Sequence, residues 1–246
     1  MIQLTRYDLN QCVRRLPLPV FQLLKRRPDL AVAGGFIRAV VAGEKVSDVD
    51  IMCPTPDAAA ACAWELSKAC GNAKVHETDN ALTVKIGRVP AQFIRRWTFS
   101  SMEDAVSSFD FTIARAAFWC AEDGTWRSTA DPHFYEDLAA KRLVYCSPVR
   151  IEEAGGSMLR VLKFYQRGYR IPLDSLGAVI ARLSAALDLK KLGGDLKDER
   201  QVARVVTGLL REVDPSIDPE HEAHLSPADE PAEPDAPSPN AERSDS

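Results

Sequence analysis

Two aspartates stand one residue apart in the short run Asp48-Val49-Asp50-Ile51-Met52, and this alternation constrains the chain's fold more than any other feature. On a strand, residues two apart share a face, so both carboxylates project together while Val49 and Ile51 face a core. Carboxylates held in parallel a few ångströms apart repel each other, and a divalent cation offsets that repulsion. Such a pair of hard oxygen donors suits Mg²⁺, with a nucleoside triphosphate completing the coordination. The preceding stretch fits the same picture. Leu30 to Ala33 is a short apolar run ending in Gly34 and Gly35, Phe36 to Ala42 has helix-forming composition, and Gly43 stops that segment. Glycines where a strand hands over to a helix let the backbone approach a ligand, and the helix's first amides can hold phosphate oxygens.

The order Gly34-Gly35, helix, Asp48-x-Asp50 resembles the nucleotidyltransferase superfamily typified by DNA polymerase β. Within it, the likeness is to the head domain of bacterial poly(A) polymerases and class II CCA-adding enzymes, which read roughly GG-x-x-R-D followed by D-x-D. The resemblance implies an α+β fold, with a mixed, mostly antiparallel sheet flanked by helices and followed by a small helical neck. It implies that Asp48 and Asp50 hold Mg²⁺ and are catalytic, and that Gly34 and Gly35 seat the nucleotide's phosphates. Arg38, one helical turn on, would add a positive charge; the family's next residue, an aspartate, is Ala39 here.

Two further segments extend the likeness. Ser107 to Phe118 resembles the family's R-R-D-F-T-I-N-A-L-A-Y, with Asp110, Phe111, Thr112 and Ile113 matching position for position. Asp110 carries over as a nucleotide-binding residue. The two arginines before it are Ser108 and Phe109 here, and the asparagine is Arg115, which is either a phosphate contact or a surface residue. Gly156 to Arg170 resembles the neck helix L-R-I-L-R-A-V-R-F-A-A-R-L-G-F, so Arg160 and Lys163 become candidates to touch the triphosphate; a solvated helix face is the other reading of both. Leu159, Leu162, Phe164 and Tyr165 are spaced for that helix's apolar face.

Departures from the family pattern bear on mechanism. Where many polymerase β-like folds place a third carboxylate, on a strand beside the aspartate pair, this chain has Gln92, a poor Mg²⁺ ligand. Asp131-Pro132-His133 resembles the family's stretch between head and neck, and reads here as a turn and helix cap. No E-D-x-x-R is found on a neck helix, and the chain ends where the body and tail domains of CCA-adding enzymes would begin, so a complete CCA-adding enzyme is not expected.

The remaining elements follow from pattern. Arg14 to Arg27 is amphipathic and interrupted by Pro17 and Pro19. Pro56 and Asp57 open an alanine-rich helix ending near Gly71, with Trp64 on its buried side. Strands are expected over 72–78, 81–86 and 88–95, then over 111–120 and 125–128 around Glu122-Asp123-Gly124. Two more helices, 175–187 and 198–213, complete the neck. The expected organisation is a head over 1–145, a neck over 146–213, and a disordered tail over 214–246.

Composition narrows the class. The tail holds ten carboxylates against Arg243 alone, with many prolines and serines and almost nothing to bury. The rest of the chain is therefore mildly basic, compatible with an anionic substrate. Six scattered cysteines without a C-x-x-C argue against zinc and for free thiols in a reducing cytoplasm. No apolar run approaches the ~20 residues of a membrane span, and no signal-peptide core opens the chain. The expected activity is Mg²⁺-dependent transfer of a nucleoside monophosphate from an NTP to an acceptor hydroxyl, foremost an RNA 3′ end. Transfer to a protein or small molecule, and a non-catalytic nucleotide- or RNA-binding module, are the alternatives.

Overall fold

The computed structural model describes residues 1–99, 101–146, 154–187 and 198–213; the expected tail and residue 147, next to the expected head–neck boundary, lie outside them. Two helices, α1 (Arg6–Arg15) and α2 (Leu18–Arg26), precede strand β1 (Ala31–Ala33). Helix α3 (Gly35–Val41), strand β2 (Val49–Met52) and helix α4 (Pro56–Ala69) follow. Strands β3 (Val75–Glu77), β4 (Ala81–Val84) and β5 (Ala91–Ile94) lead to helix α5 (Met102–Ser107). A 3₁₀ turn over Thr112–Ala114, the hairpin β6 (Ala116–Cys120) and β7 (Trp126–Ala130), and helix α6 (Phe134–Ala139) complete the head. Helices α7 (Ala154–Gln166), α8 (Leu173–Ala185) and α9 (Glu199–Val213) form the neck.

The seven strands make one sheet in the order β3-β4-β5-β2-β1-β6-β7. Among these strands only β2 and β5 run parallel, with α4 and the β3–β4 hairpin as their crossover; the other neighbours are antiparallel. The sheet is mixed and mostly antiparallel, as the family resemblance implies. Alternation divides its faces. Val32, Val49, Ile51, Leu82, Phe93 and Phe118 point into the main core, against Leu23, Leu24, Phe36, Ile37, Ala63 and Leu66 of the flanking helices. Ala33, Met52 and Ala117 lie in a smaller cluster with Val106 of α5. Helix α5 packs on β6 and β7, so that end of the second face is covered.

Local chemistry explains several element ends. Thr5 caps α1 by accepting from the Asp8 amide, and Thr55 caps α4 by accepting from the Ala58 amide with Pro56 in the first turn. Trp64 is half-exposed, so α4 buries Ala59, Cys62, Ala63 and Leu66 instead of the expected tryptophan face. Residues 112–114, expected as strand, coil into the 3₁₀ turn because Thr112 donates to the buried Asp137 carboxylate at 2.6 Å and Ile113 turns into the core. All six cysteines are free.

Head and neck share the main core, to which α7 contributes Val161 and Phe164 and α8 Val179. The backbone ties the seam: the Leu143 amide donates to the Arg170 carbonyl and the Arg170 amide to the Lys141 carbonyl, both at 2.8 Å. On α7 the buried side is Ser157, Val161 and Phe164, whereas Leu162 and Tyr165, expected on the apolar face, are exposed. Among the described residues no helix is long and apolar enough to cross a membrane.

Candidate active site

Asp50 lies mid-strand on β2, its neighbours Val49 and Ile51 fully buried on the opposite face. The parallel register sets Gln92 of β5 directly beside it, Thr83 of β4 beside Gln92, and His76 of β3 beside Thr83. A polar row thus runs across four strands on the face left open by α5. Asp48 precedes the strand; its Oδ1 accepts a 2.6 Å hydrogen bond from the Ser47 hydroxyl. The two aspartates act on each other. Burial first, and then the charge of Asp48, push the Asp50 carboxyl up to about 7, while Arg160 and Lys163 pull the other way. The pair shares one site, and both cations of α7 reach it electrostatically.

Arg160 owes its position to the head. Its Nη1 donates to Asp110 Oδ2 at 2.7 Å, and the Ser157 hydroxyl, one turn earlier, donates to the same oxygen at 3.0 Å. Asp110 is buried, whereas Arg160 keeps 40% of its side chain exposed. Asp110 therefore anchors the guanidinium, and Lys163, exposed one turn on, lies on the same side of α7.

The glycine pair divides its roles. Gly34 has φ +77°, and a Cβ there would meet Phe109 Cε1 at 2.9 Å. Its amide donates to the Ala116 carbonyl at 3.0 Å, so that hydrogen belongs to the sheet. Gly35, the first residue of α3, has open space where a Cβ would stand. Phe109, in place of a family arginine, covers Gly34. Arg115, expected as a phosphate contact or a surface residue, is half-buried and fixes that corner, donating at 2.8 Å to the carbonyls of Phe109 and Ser107.

Arg38 sits elsewhere than the sequence suggested. Only 4% of its side chain is exposed; it ion-pairs with Glu44 and its guanidinium carbon lies 4.9 Å from the Phe164 ring centre. Glu44 also accepts from the Tyr169 hydroxyl at 2.8 Å. Within the seam Arg38 Nη1 pairs with Glu44, while the buried Arg38 Nε has no hydrogen-bond partner among the described residues.

The donor set fits a hard divalent cation. Asp48 and Asp50 offer carboxylates whose mutual repulsion a cation would relieve, and Mg²⁺ binds through one or two carboxylates plus phosphates and water. Among the described residues no cluster of three or more acidic, histidine or cysteine side chains forms, and Gln92 occupies the neighbouring strand position. Ser157 was missed in sequence; its signal was only its place one turn before Arg160.

The sequence model of the Gad2 family, described as Gabija anti-defense 2 family proteins, matches residues 3–141. The chain belongs to that family. The matched segment takes in the aspartate pair, the glycines and Asp110 of this Gad2 protein, and stops before the neck cations. No curated protein matches by sequence. By structure, a Thermotoga maritima CCA-adding enzyme complexed with tRNA is similar over 75% of this chain and 46% of that one, with TM-score 0.57 and 18% identity. A CCA-adding enzyme with CTP gives TM-score 0.55 at 19% identity over 75% and 47% of the two chains. A tRNA nucleotidyltransferase complexed with a primer tRNA and an ATP analog gives 0.51 at 22% over 77% and 60%. The Gad2 chain spans about half the length of these proteins, and its fold is similar to that of the part it covers.

Proposed function

We propose that this Gad2 protein is a Mg²⁺-dependent nucleotidyltransferase, moving a nucleoside monophosphate from an NTP to an acceptor hydroxyl. The observation that carries the reading is that Asp50 of β2 feels the charges of Asp48, just before the strand, and of Arg160 and Lys163 on α7, with Arg160 held by the buried Asp110. Asp48, steadied by Ser47, and Asp50 would hold the metal. Bound there, Mg²⁺ supplies charge neutralisation at the reacting phosphorus. Arg160, aimed by Asp110 and Ser157, and Lys163 would grip the triphosphate from the neck, with Gly35 leaving its backbone open to the phosphates. Gln92 can hydrogen-bond but takes no proton, so the reading assigns no third carboxylate as base.

For the acceptor we take an RNA 3′ end, because the similar folds belong to proteins solved with tRNA. The family's name favours a second reading, in which the acceptor is a protein of the defence system it names. Purified protein with Mg²⁺ and α-labelled NTPs, incubated with total RNA and separately with lysate from cells carrying that system, discriminates them. Label in RNA supports the first and label in protein the second. Wild type indistinguishable from Asp48→Ala/Asp50→Ala, with nucleotide binding indifferent to Mg²⁺, would leave only a binding module.

A further inference from the structure

A cavity lies at the head–neck seam. It holds about 390 Å³ and is lined by Glu44, Lys45, Ser47, Lys141 and Arg167. We propose that it is a phosphate-binding subsite, distinct from the aspartate pair, that holds a phosphodiester of the acceptor strand next to its reacting end.

Three segments far apart in sequence bring their cations here: Lys45 from the loop before β2, Lys141 from the turn after α6, and Arg167 from the end of α7. Two of these positions are built, not incidental. Lys141 has φ +49°, and its carbonyl accepts the Arg170 amide that ties head to neck. Its Nζ lies 5.9 Å from the Tyr169 ring centre, and Gly168 (φ +82°) keeps the adjoining space clear, a Cβ there falling 3.9 Å from that Nζ. Arg167 lies 5.9 Å from the Phe164 ring centre. Aromatic faces hold both cations weakly, and among the described residues neither is paired to a carboxylate. Among the described lining residues the carboxylate is Glu44, which is engaged by Arg38 and Tyr169. Lys141 and Arg167 thus bring two positive charges to the described lining, and an anion between them relieves their repulsion.

Position selects the anion. Ser47 lines the cavity and its hydroxyl also holds Asp48, so the subsite adjoins the metal-holding pair from the side of the β2 loop. The triphosphate has Arg160 and Lys163 of its own in the proposed reading. A strand whose terminal hydroxyl reaches Asp48 and Asp50 would lay its preceding phosphates along the seam. This inference rests on the proposed activity for the choice of acceptor, but its test needs no turnover.

The test measures binding of a 5′-fluorescein single-stranded RNA to the full chain by anisotropy over a range of salt, alongside ATP binding by calorimetry. Lys141→Gln/Arg167→Gln should weaken RNA binding about tenfold and flatten its log–log salt slope by about 1.4, roughly 0.7 for each phosphate left without its cation. ATP affinity should stay unchanged, and the charge-conserving Lys141→Arg/Arg167→Lys should keep the wild-type slope. RNA that does not bind, a slope unaffected by the glutamines, or ATP affinity falling in step with RNA affinity would each overturn the subsite; the last would assign the cavity to the triphosphate. RNA binding that follows the prediction while no label is transferred would keep the subsite and sink the enzymatic reading instead.

Discussion

Asp110 and Arg160, fifty positions apart, meet at 2.7 Å across the boundary between head and neck. The carboxylate is buried and the guanidinium half-exposed, so the buried aspartate fixes an arginine that keeps part of its surface in solvent. Neutralising Asp110 frees that arginine without removing it. Asp110→Asn should raise the KM for NTP severalfold while kcat changes less, and Ser157→Ala should do the same more weakly. Each should lower stability by about 1.5–3 kcal/mol, the range for a hydrogen bond to a charged group. Nucleotide-titrated kinetics with thermal melts check this; a loss confined to melting would make the pair purely structural.

The two glycines should separate cleanly on substitution. Gly34→Ala meets both a left-handed backbone and the Phe109 ring, and should destabilise the fold by about 1–3 kcal/mol. Phe109→Leu in that background should restore part of the loss, since it relieves the contact but not the dihedral. Gly35→Ala meets open space and sits in a helix, so its melting temperature should match or exceed wild type. A Gly35→Ala protein that melts normally but transfers poorly identifies the face a ligand uses.

Arg38 is the sharpest contrast between family pattern and fold. Its type and spacing match the family arginine, yet its surroundings are Glu44, Phe164 and the Glu44–Tyr169 hydrogen bond. Arg38→Ala leaves Glu44 partly buried without its main partner, which should cost about 3 kcal/mol or more. Urea melts should show that loss, and the NTP KM of protein that remains folded should hold near wild type. A KM that rises with little change in stability would return Arg38 to the phosphates.

What the sequence disclosed depended on whether a signal was local. Val49 and Ile51 flank Asp50, so strand and face were legible together, although Asp48 falls one residue before the strand; the glycines marked the start of α3, where Gly34 takes a positive φ. Helix α1 was overlooked because it is polar and buries only Cys12, although the Thr5 and Asp8 spacing is a cap signal. Helix α5 spans six residues, too few for periodicity to declare itself. On α7 the helix was legible but its phase was not, since Leu162 and Val161 are equally apolar and only the packing of Phe164 on Arg38 decides which faces in. The roles of Arg38 and Arg115 were hidden for the same reason: residue type suggests a phosphate, while the partners that occupy them come from distant segments. The seam cavity needed three such segments and left no trace in any one of them.

The aspartate pair should also show itself without any reaction, through pH. In metal-free protein, burial and the charge of Asp48 raise the Asp50 carboxyl to about 7, against about 3.9 for an unfolded aspartate. Between those values the folded state keeps a proton that the unfolded chain releases. The contribution to stability is therefore complete below about pH 4 and is lost as pH rises through 7. Asp50→Asn carries no such proton, so the difference between variant and wild-type melting temperatures should grow in the variant's favour from pH 4 to pH 8. Mg²⁺ added at pH 8 should raise the wild-type value, because it binds the ionised pair, and leave Asp50→Asn almost unmoved. Melting curves in chelator and in Mg²⁺ at each pH provide the comparison. Wild type and variant running in parallel across the range, with no response to Mg²⁺, would mean that Asp50 is neither strained by Asp48 nor placed to hold a metal.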